Sequence, residues 1–228
     1  SYFMSLALNQ AYINLGMTKE NPSVGCVIVS KNNLVSAAST SIYGRPHAEQ
    51  NAIRLIKNRI SSPSIYITLE PCSNYGLTPP CVKKIIKKKI KNVYFSIKDP
   101  DSRSYNKATQ TFKKYNVYVN TGILNKEIGH FYRSYKKQKN HQLPFVTSKL
   151  AISKDFFTIN KKKKYITNKY SRGRVHLIRA THDSILTSSK TINIDNPLLN
   201  CRIEGLTYRS PARIILDKNL VVKTRSKI

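Results

Sequence analysis

His47-Ala48-Glu49, Pro71-Cys72 and Pro80-Cys81 constrain this chain more than any other feature, because they ask three separate segments to deliver side chains to one point. One imidazole nitrogen and two thiolates form the donor set of a tetrahedral zinc site with three protein ligands, which leaves the fourth position to water. Zinc in such a site brings the pKa of that water close to neutrality, and a nearby carboxylate can then move its protons. His47, Cys72 and Cys81 are therefore the candidate metal ligands, and Glu49 the candidate catalytic residue.

The segments around these residues read as alternating strands and helices. Apolar positions from Met4 to Leu15 predict a first helix, and Val24 to Val29 and Leu34 to Ala38 predict two strands joined by a turn at Lys31-Asn32-Asn33. His47 to Ile56 has helical spacing, with His47 and Glu49 in its first turn. Ser64 to Leu69 is a strand that runs into Glu70-Pro71-Cys72, and Pro79-Pro80-Cys81 starts a helix, where proline lacks only an N–H that would be unpaired anyway. A thiol at a helix start is expected to have a lowered pKa. Further strands are predicted at Asn92 to Ile97 and Val117 to Val119, with helices at Tyr105 to Tyr115 and Leu124 to Lys139. This alternation predicts a mixed or parallel sheet covered by helices on both faces.

Polar Lys136 to Gln142 reads as a linker, which places a domain boundary near residue 143 and gives domains 1–142 and 143–228. The second segment is predicted to hold a strand at Phe145 to Ile152, a helix at Tyr170 to Ala180, and strands at Ser184 to Thr187 and Arg213 to Leu216.

Composition narrows the function classes. Four cysteines, two of them next to prolines and near a His-x-Glu, point to metal ligands rather than a disulfide framework. Cys26 lies in an apolar run and reads as a buried small hydrophobe. No apolar run is long enough to cross a bilayer and no signal peptide opens the chain, so a cytoplasmic protein without a membrane partner is expected. The formal charge of +29 would suit a polyanionic partner. Its lysines, however, are scattered among abundant Ile and Asn, as AT-rich coding DNA would produce. Those of Lys83 to Lys91 fall on the wet side of an amphipathic helix, and Lys161 to Lys164 read as a loop. Neither cluster has the interleaved aromatics of a single-strand platform. A nucleic-acid partner is therefore not expected; a homo-oligomer is left open.

The order His-x-Glu, Pro-Cys and a further cysteine resembles the zinc deaminases of nucleobases, where two residues separate the cysteines. Here eight residues lie between Cys72 and Cys81. That spacing, with Asn21-Pro22-Ser23-Val24-Gly25-Cys26, Pro46-His47-Ala48-Glu49 and Thr78-Pro79-Pro80-Cys81, resembles the bifunctional deaminase-reductases of riboflavin biosynthesis. The resemblance continues through Asp99-Pro100-Asp101, Lys149 to Asp155, Ile185 to Thr191, Asp195 to Arg202 and Pro211 to Asp217.

It implies a three-layer α-β-α cytidine-deaminase-like domain followed by a truncated dihydrofolate-reductase-like α/β domain. The implied reaction is hydrolytic loss of the 2-amino group from a diaminopyrimidinone carrying a phosphoribosylamino substituent, with Zn2+ as cofactor and Glu49 shuttling protons. Asn21, Asp99 and Asp101 would bind that substrate. Arg179, Leu199 and Arg202 would bind substrate in the reductase half, and Thr191 and Asp195 would bind NADPH there. The family usually has histidines where Thr40 and Asn74 stand and a basic residue where Leu77 stands; it has glycine at Phe156 and tryptophan at Tyr165. The sequence stops at Ile228, before the family's C-terminal strands, so reductase activity is expected to be lost or incomplete and NADPH to bind only where the domain is completed. The alternative readings are a nucleic-acid-binding protein with a structural zinc site, and a nucleic-acid deaminase.

Overall fold

The computed structural model describes residues 1–158 and 165–228, so the Lys161 to Lys164 loop reading lies outside the described residues. The chain divides into two compact units, Ser1–Val146 and Thr147–Ile228. Among the described residues no helix is long and apolar enough to cross a membrane.

Unit one is built on a five-stranded sheet of order β2-β1-β3-β4-β5. Its strands are β1 (Gly25–Ser30), β2 (Asn33–Ser39), β3 (Pro63–Leu69), β4 (Asn92–Ile97) and β5 (Tyr118–Thr121). β1 runs antiparallel to both neighbours, while β3, β4 and β5 are parallel. The β1–β2 hairpin turns on Lys31 and Asn32, both at positive φ, the backbone pattern whose twist matches a right-handed hairpin. Residues Gly25 to Val29 of β1 are all buried, because an interior strand covered on both faces reads as a continuous apolar run.

Helices cover both faces of this sheet. α1 (Tyr2–Ile13) packs on the face that carries Gly25 and Tyr66, and the Phe3 ring lies tilted against Tyr66 with centroids 5.4 Å apart. A Cβ on Gly25 would overlap the carbonyl of Ala7, so glycine is what lets α1 lie this close. The opposite face carries Ser36, Ile28 and Ile65, opposite one another in register, and α2 (Ala48–Arg54) packs there, with the Ser36 hydroxyl donating to the Ala52 carbonyl at 2.9 Å. α3 (Cys81–Lys87) follows α2 on that side. Its Val82 and Ile85 are buried and its Lys83 and Lys87 exposed, which is the amphipathic division its spacing predicts. α4 (Lys107–Lys114) buries Ala108 and Phe112.

The expected single helix from Leu124 to Lys139 is instead two, α5 (Asn125–Phe131) and α6 (Arg133–His141), which meet at Tyr132. The expected linker at Lys136 to Gln142 is thus helical as far as His141. Polar residues without Gly or Pro are adequate helix formers, and α6 is fixed by contacts that sequence does not display. Its Tyr135 hydroxyl donates to Asp99 Oδ1 at 3.0 Å, and Lys139 pairs with Asp101 at 3.3 Å.

Unit two contains α7 (Lys169–Ala180), β6 (Ser184–Ser188), α8 (Ser189–Asp195) and β7 (Ala212–Leu216), with β6 and β7 parallel. α7, β6 and β7 match the sequence reading; α8 does not follow from it and is capped by Ser188, whose Oγ accepts the Thr191 N–H at 3.4 Å. The strand expected at Phe145 to Ile152 is absent. These residues are mostly exposed, and among the described residues nothing pairs with them as a ladder. Phe156 has φ +66°, a left-handed conformation that glycine adopts without strain and a bulky residue rarely does.

Two buried hydrogen-bond systems generate predictions. Tyr132 is 2% exposed; its hydroxyl donates to the Ser23 carbonyl at 2.9 Å and receives the Thr68 hydroxyl at 2.6 Å, while Thr68 Oγ1 accepts the Gly25 N–H at 3.1 Å. Tyr132→Phe leaves the Ser23 carbonyl without its donor, and urea unfolding is expected to show a loss of about 1–3 kcal/mol. An unchanged midpoint would mean that water replaces the phenol.

Asp99 is the second. Burial pushes its carboxyl up to about 6 from an ordinary 3.8; the Asp101 N–H and the Tyr135 hydroxyl work against that rise, and the charges of Asp101 and Glu70 add to it. Between those values the folded chain holds a proton that the unfolded chain has lost, so this group's contribution to stability declines as pH rises from about 4 to about 6. Asp99→Asn, which stays neutral, should gain on the wild type by up to about 3 kcal/mol between pH 4 and pH 7 in unfolding titrations. A constant difference across that range would contradict the raised carboxyl.

Candidate active site

The site forms at the carboxyl end of β3. The chain leaves β3 at Leu69, passes Glu70 and Pro71, and presents Cys72; it returns through Pro80, which precedes α3, to Cys81 at the helix's first position. Two backbone N–H groups at the start of α3 are taken up by Cys72, whose sulfur accepts from Cys81 N–H at 3.3 Å and whose carbonyl accepts from Val82 N–H at 3.3 Å. The residue that serves as a ligand candidate therefore also terminates the neighbouring helix. His47 arrives from the start of α2, immediately before Ala48.

His47 Nδ1 lies 3.6 Å from Cys72 Sγ and 3.5 Å from Cys81 Sγ, and the three donor atoms fall within 4.8 Å of one another. Zinc–nitrogen and zinc–sulfur bonds of about 2.0 and 2.3 Å at a tetrahedral angle put nitrogen and sulfur about 3.5 Å apart. The donor set and its spacing thus fit one zinc ion, with one position left over.

Glu49 stands in the first turn of α2 and is 4% exposed. Burial raises its carboxyl pKa, and the nearby His47 charge opposes that rise. Burial disfavours a charged His47, and Arg45 does likewise, yet the hydrogen bond to Cys72 and the charge of Glu49 outweigh them and raise it. The helix-start argument expects Cys81 to be the acidic thiol. The structure reverses this: Cys72, receiving hydrogen bonds from the Cys81 thiol, from His47 and from the Cys81 N–H, is held down at about 4 despite partial burial. Cys81 is pushed up, first because its own thiol is the donor to Cys72 and then because it is fully buried.

Glu70, quoted in the sequence only as part of Glu-Pro-Cys, proves to be structural. Its buried carboxylate accepts three backbone N–H groups: Asp99 at 3.2 Å, Asn106 at 3.0 Å and Ala108 at 3.0 Å. It thereby ties the loop after β4 and the start of α4 to the segment that carries Cys72. Burial raises its carboxyl and the three amides partly offset that. Gln50, also missed, is buried behind Cys81 with Nε2 3.9 Å from the sulfur. A Glu one residue before Pro-Cys was the available signal for the first; none existed for the second.

Of the expected substrate residues, Asn21 lies against Gly44, on the loop that leads to His47, and its side chain makes no hydrogen bond among the described residues. Asp99 and Asp101 come to the same edge of the sheet but are engaged within the protein: Asp99 by Tyr135 and the Asp101 N–H, Asp101 by Arg103 at 2.6 Å and by Lys139. Cys26 is buried and free. In unit two, Arg179, Leu199 and Arg202 gather around Asn200. Arg179 Nη1 donates to the Asn200 carbonyl at 3.1 Å, Arg202 Nη1 to its Oδ1 at 3.0 Å, and Leu199 is buried at positive φ. Burial and the charge of Arg202 lower the Arg179 pKa. Thr191 and Asp195 lie on α8, just ahead of Leu199 in sequence, and Asp195 is exposed.

Two segments of the chain match known family models. Residues 1–97 match the cytidine and deoxycytidylate deaminase zinc-binding region, and residues 144–228 match the RibD C-terminal domain. The riboflavin biosynthesis protein RibD of Bacillus amyloliquefaciens is 34% identical over 229 residues, covering 100% of this chain and 62% of that protein. The Escherichia coli RibD is 31% identical, covering 95% and 62%. A crystal structure from Thermotoga maritima, described as a diaminohydroxyphosphoribosylaminopyrimidine deaminase/5-amino-6-(5-phosphoribosylamino)uracil reductase, superposes with a TM-score of 0.91 at 31% identity, covering 98% of this chain and 64% of that one. Acinetobacter baumannii RibD gives 0.89 at 32% identity, with 100% and 65% covered. The chain thus spans just under two thirds of the length of these relatives. Over that span, the chain is similar throughout to riboflavin biosynthesis deaminase-reductases, with a deaminase zinc-binding segment followed by a RibD C-terminal segment.

Proposed function

We propose that residues 1–142 form a zinc-dependent pyrimidine deaminase that hydrolyses the 2-amino group of 2,5-diamino-6-(5-phosphoribosylamino)pyrimidin-4(3H)-one in riboflavin biosynthesis. The observation that carries this reading is the convergence of His47 Nδ1, Cys72 Sγ and Cys81 Sγ beside the buried carboxylate of Glu49. When bound, zinc supplies Lewis acidity and a water that ionises near neutral pH. His47, Cys72 and Cys81 are its ligands.

Glu49 carries the protons. Its carboxylate oxygen takes one from the attacking water as the new C–O bond forms, and gives it to the amino nitrogen as the C–N bond breaks and ammonia leaves. Burial keeps bulk water from competing for that proton. The side-chain amide of Asn21 is unengaged by the protein and holds the pyrimidine by hydrogen bonding. Asp99 and Asp101 are assigned to the substrate as well, in exchange for some of the partners they have in its absence.

For residues 143–228 we propose the N-terminal part of a reductase-like domain. Arg179, Leu199 and Arg202 face a phosphorylated substrate there, and Thr191 and Asp195 face NADPH. Because the relatives extend past the matched span, reductase turnover is proposed only for a chain that carries the remainder.

Two experiments test the deaminase. Purified chain should hold about one zinc per site by elemental analysis, and Cys81→Ser should lose both metal and ammonia release. Wild-type protein that turns over fully after chelation would sink the metal assignment. Glu49→Gln should keep the zinc but reduce turnover by on the order of a hundredfold or more. Normal deamination by that variant would remove Glu49 from the mechanism.

A further inference from the structure

We propose that Arg45 is the residue that selects a phosphorylated substrate at this site, its guanidinium gripping the phosphate at the rim of the loop between Cys72 and Cys81. The inference rests on the deaminase reading above and names the residue that determines its specificity. A phosphoribosyl tail brings nearly two negative charges to a site whose own ionisable groups include a carboxylate and two thiols. A cation must receive them.

Among the positions that the sequence comparison singled out and the residues of this loop, few offer a cation. Thr40 is buried, and its Oγ1 accepts the Val24 N–H at 3.0 Å. Asn74 Oδ1 accepts the Ser104 hydroxyl at 2.9 Å. Leu77 is apolar and 89% exposed, so it presents nothing to an anion. Lys83 also reaches this loop, but its ammonium is bonded to the Tyr75 hydroxyl at 2.8 Å and lies over the same ring.

Arg45 differs from all of these. It sits two residues before His47 and is half-buried, and its Nη1 donates to Thr78 Oγ1 at 2.9 Å. Thr78 Oγ1 also receives Gln50 Nε2 at 3.4 Å, and that amide in turn reaches Cys81 Sγ, so the guanidinium is joined to the metal-ligand end of the site. Nη2 lies against Gly76, where an added Cβ would stand 3.5 Å away, so no side chain of that residue comes between Nη2 and an approaching oxygen. Among the described residues no carboxylate pairs with Arg45, since both ion pairs there belong to Asp101. A guanidinium carries five N–H donors in a planar fork that matches phosphate oxygens two at a time. Thr78 uses one of these and fixes the orientation of the rest.

The test compares ammonia release from the phosphoribosyl pyrimidine and from its dephosphorylated ribosyl counterpart, using zinc-loaded full chain. Arg45→Ala should raise KM for the phosphorylated substrate by on the order of tenfold to a hundredfold. Its kcat, its zinc content and its KM for the dephosphorylated compound should stay near wild type. Arg45→Lys should recover part of the loss, because it restores the charge without the fork. Lys83→Ala should leave the preference intact. An equal KM change on both compounds, loss of zinc from Arg45→Ala, or loss of the preference in Lys83→Ala would each overturn the assignment. Failure of the deaminase reading looks different, as wild-type chain that releases ammonia from neither compound. In that event calorimetry with inorganic phosphate decides: binding weakened in Arg45→Ala supports the grip, and equal binding by wild type and variant refutes it.

Discussion

Two sulfurs, an imidazole and a carboxylate gather at the carboxyl end of β3, Cys81 and Glu49 buried and His47 and Cys72 partly so, and that arrangement governs the rest of unit one. Burying an anion without a partner is costly, and proteins answer by pairing it, protonating it or placing a metal there. Left to themselves, the two thiols share the burden unequally, with Cys72 lowered and Cys81 raised because one donates to the other. A divalent cation held by His47, Cys72 and Cys81 would remove the need for that shared proton and would leave Glu49 as the group able to exchange one. The ligand spacing fits this solution, and the sheet order serves it, because β3 sits at the centre with α2 and α3 starting beside its end.

Glu70 shows the same physical problem solved without a metal. Only two residues before Cys72, its carboxylate is met by three backbone N–H groups from the loop after β4 and the start of α4. Those bonds hold β4's outgoing loop against the segment that carries the ligand, so the geometry of Cys72 depends on a residue that touches no reacting atom. Behind the sheet, Tyr132 does a similar job, linking Ser23 and Thr68 and through them the entry of β1 and the exit of β3. Pre-organisation of this kind brings three candidate ligands from distant positions within 4.8 Å of one another.

How much of this could be read from the amino acids follows the range of the interactions involved. The amphipathic division of α3, the buried run of β1 and the Lys31-Asn32 turn are local, and their patterns were visible. The ligand triad was visible too, because its residue types and order are unusual together. What stayed hidden depends on contacts across the chain. Lys136 to Gln142 looks like a linker until Tyr135 and Lys139, one helical turn apart, are seen to reach Asp99 and Asp101. The acidity of Cys72 rather than Cys81 depends on which thiol donates, and a helix-start rule takes no account of that. Arg45 has no signal in its neighbours; only the folded loop brings it to Thr78 and Gly76.

The two units differ in what their interiors can support. Unit one buries an extended apolar cluster that runs from Met4 through the sheet to Tyr132. Among the described residues of unit two the buried apolar side chains are Ala180, Ile192, Leu199 and Cys201, while Leu186, Ile214 and Leu216 on its two strands are exposed. Parallel strands are normally covered on both faces and extended by further strands, since an open pair leaves both apolar surface and unpaired backbone in water. So small a core offsets little of the entropy of ordering its chain. The chain spans just under two thirds of the relatives it matches. The cluster of Arg179 and Arg202 around Asn200 is already formed, with Arg179 Nε buried and lacking a partner among the described residues. An unsatisfied buried guanidinium nitrogen is costly, which leaves the unmet hydrogen bonding of unit two at its arginines and the assembled chemistry of the chain in the sulfur and imidazole site of unit one.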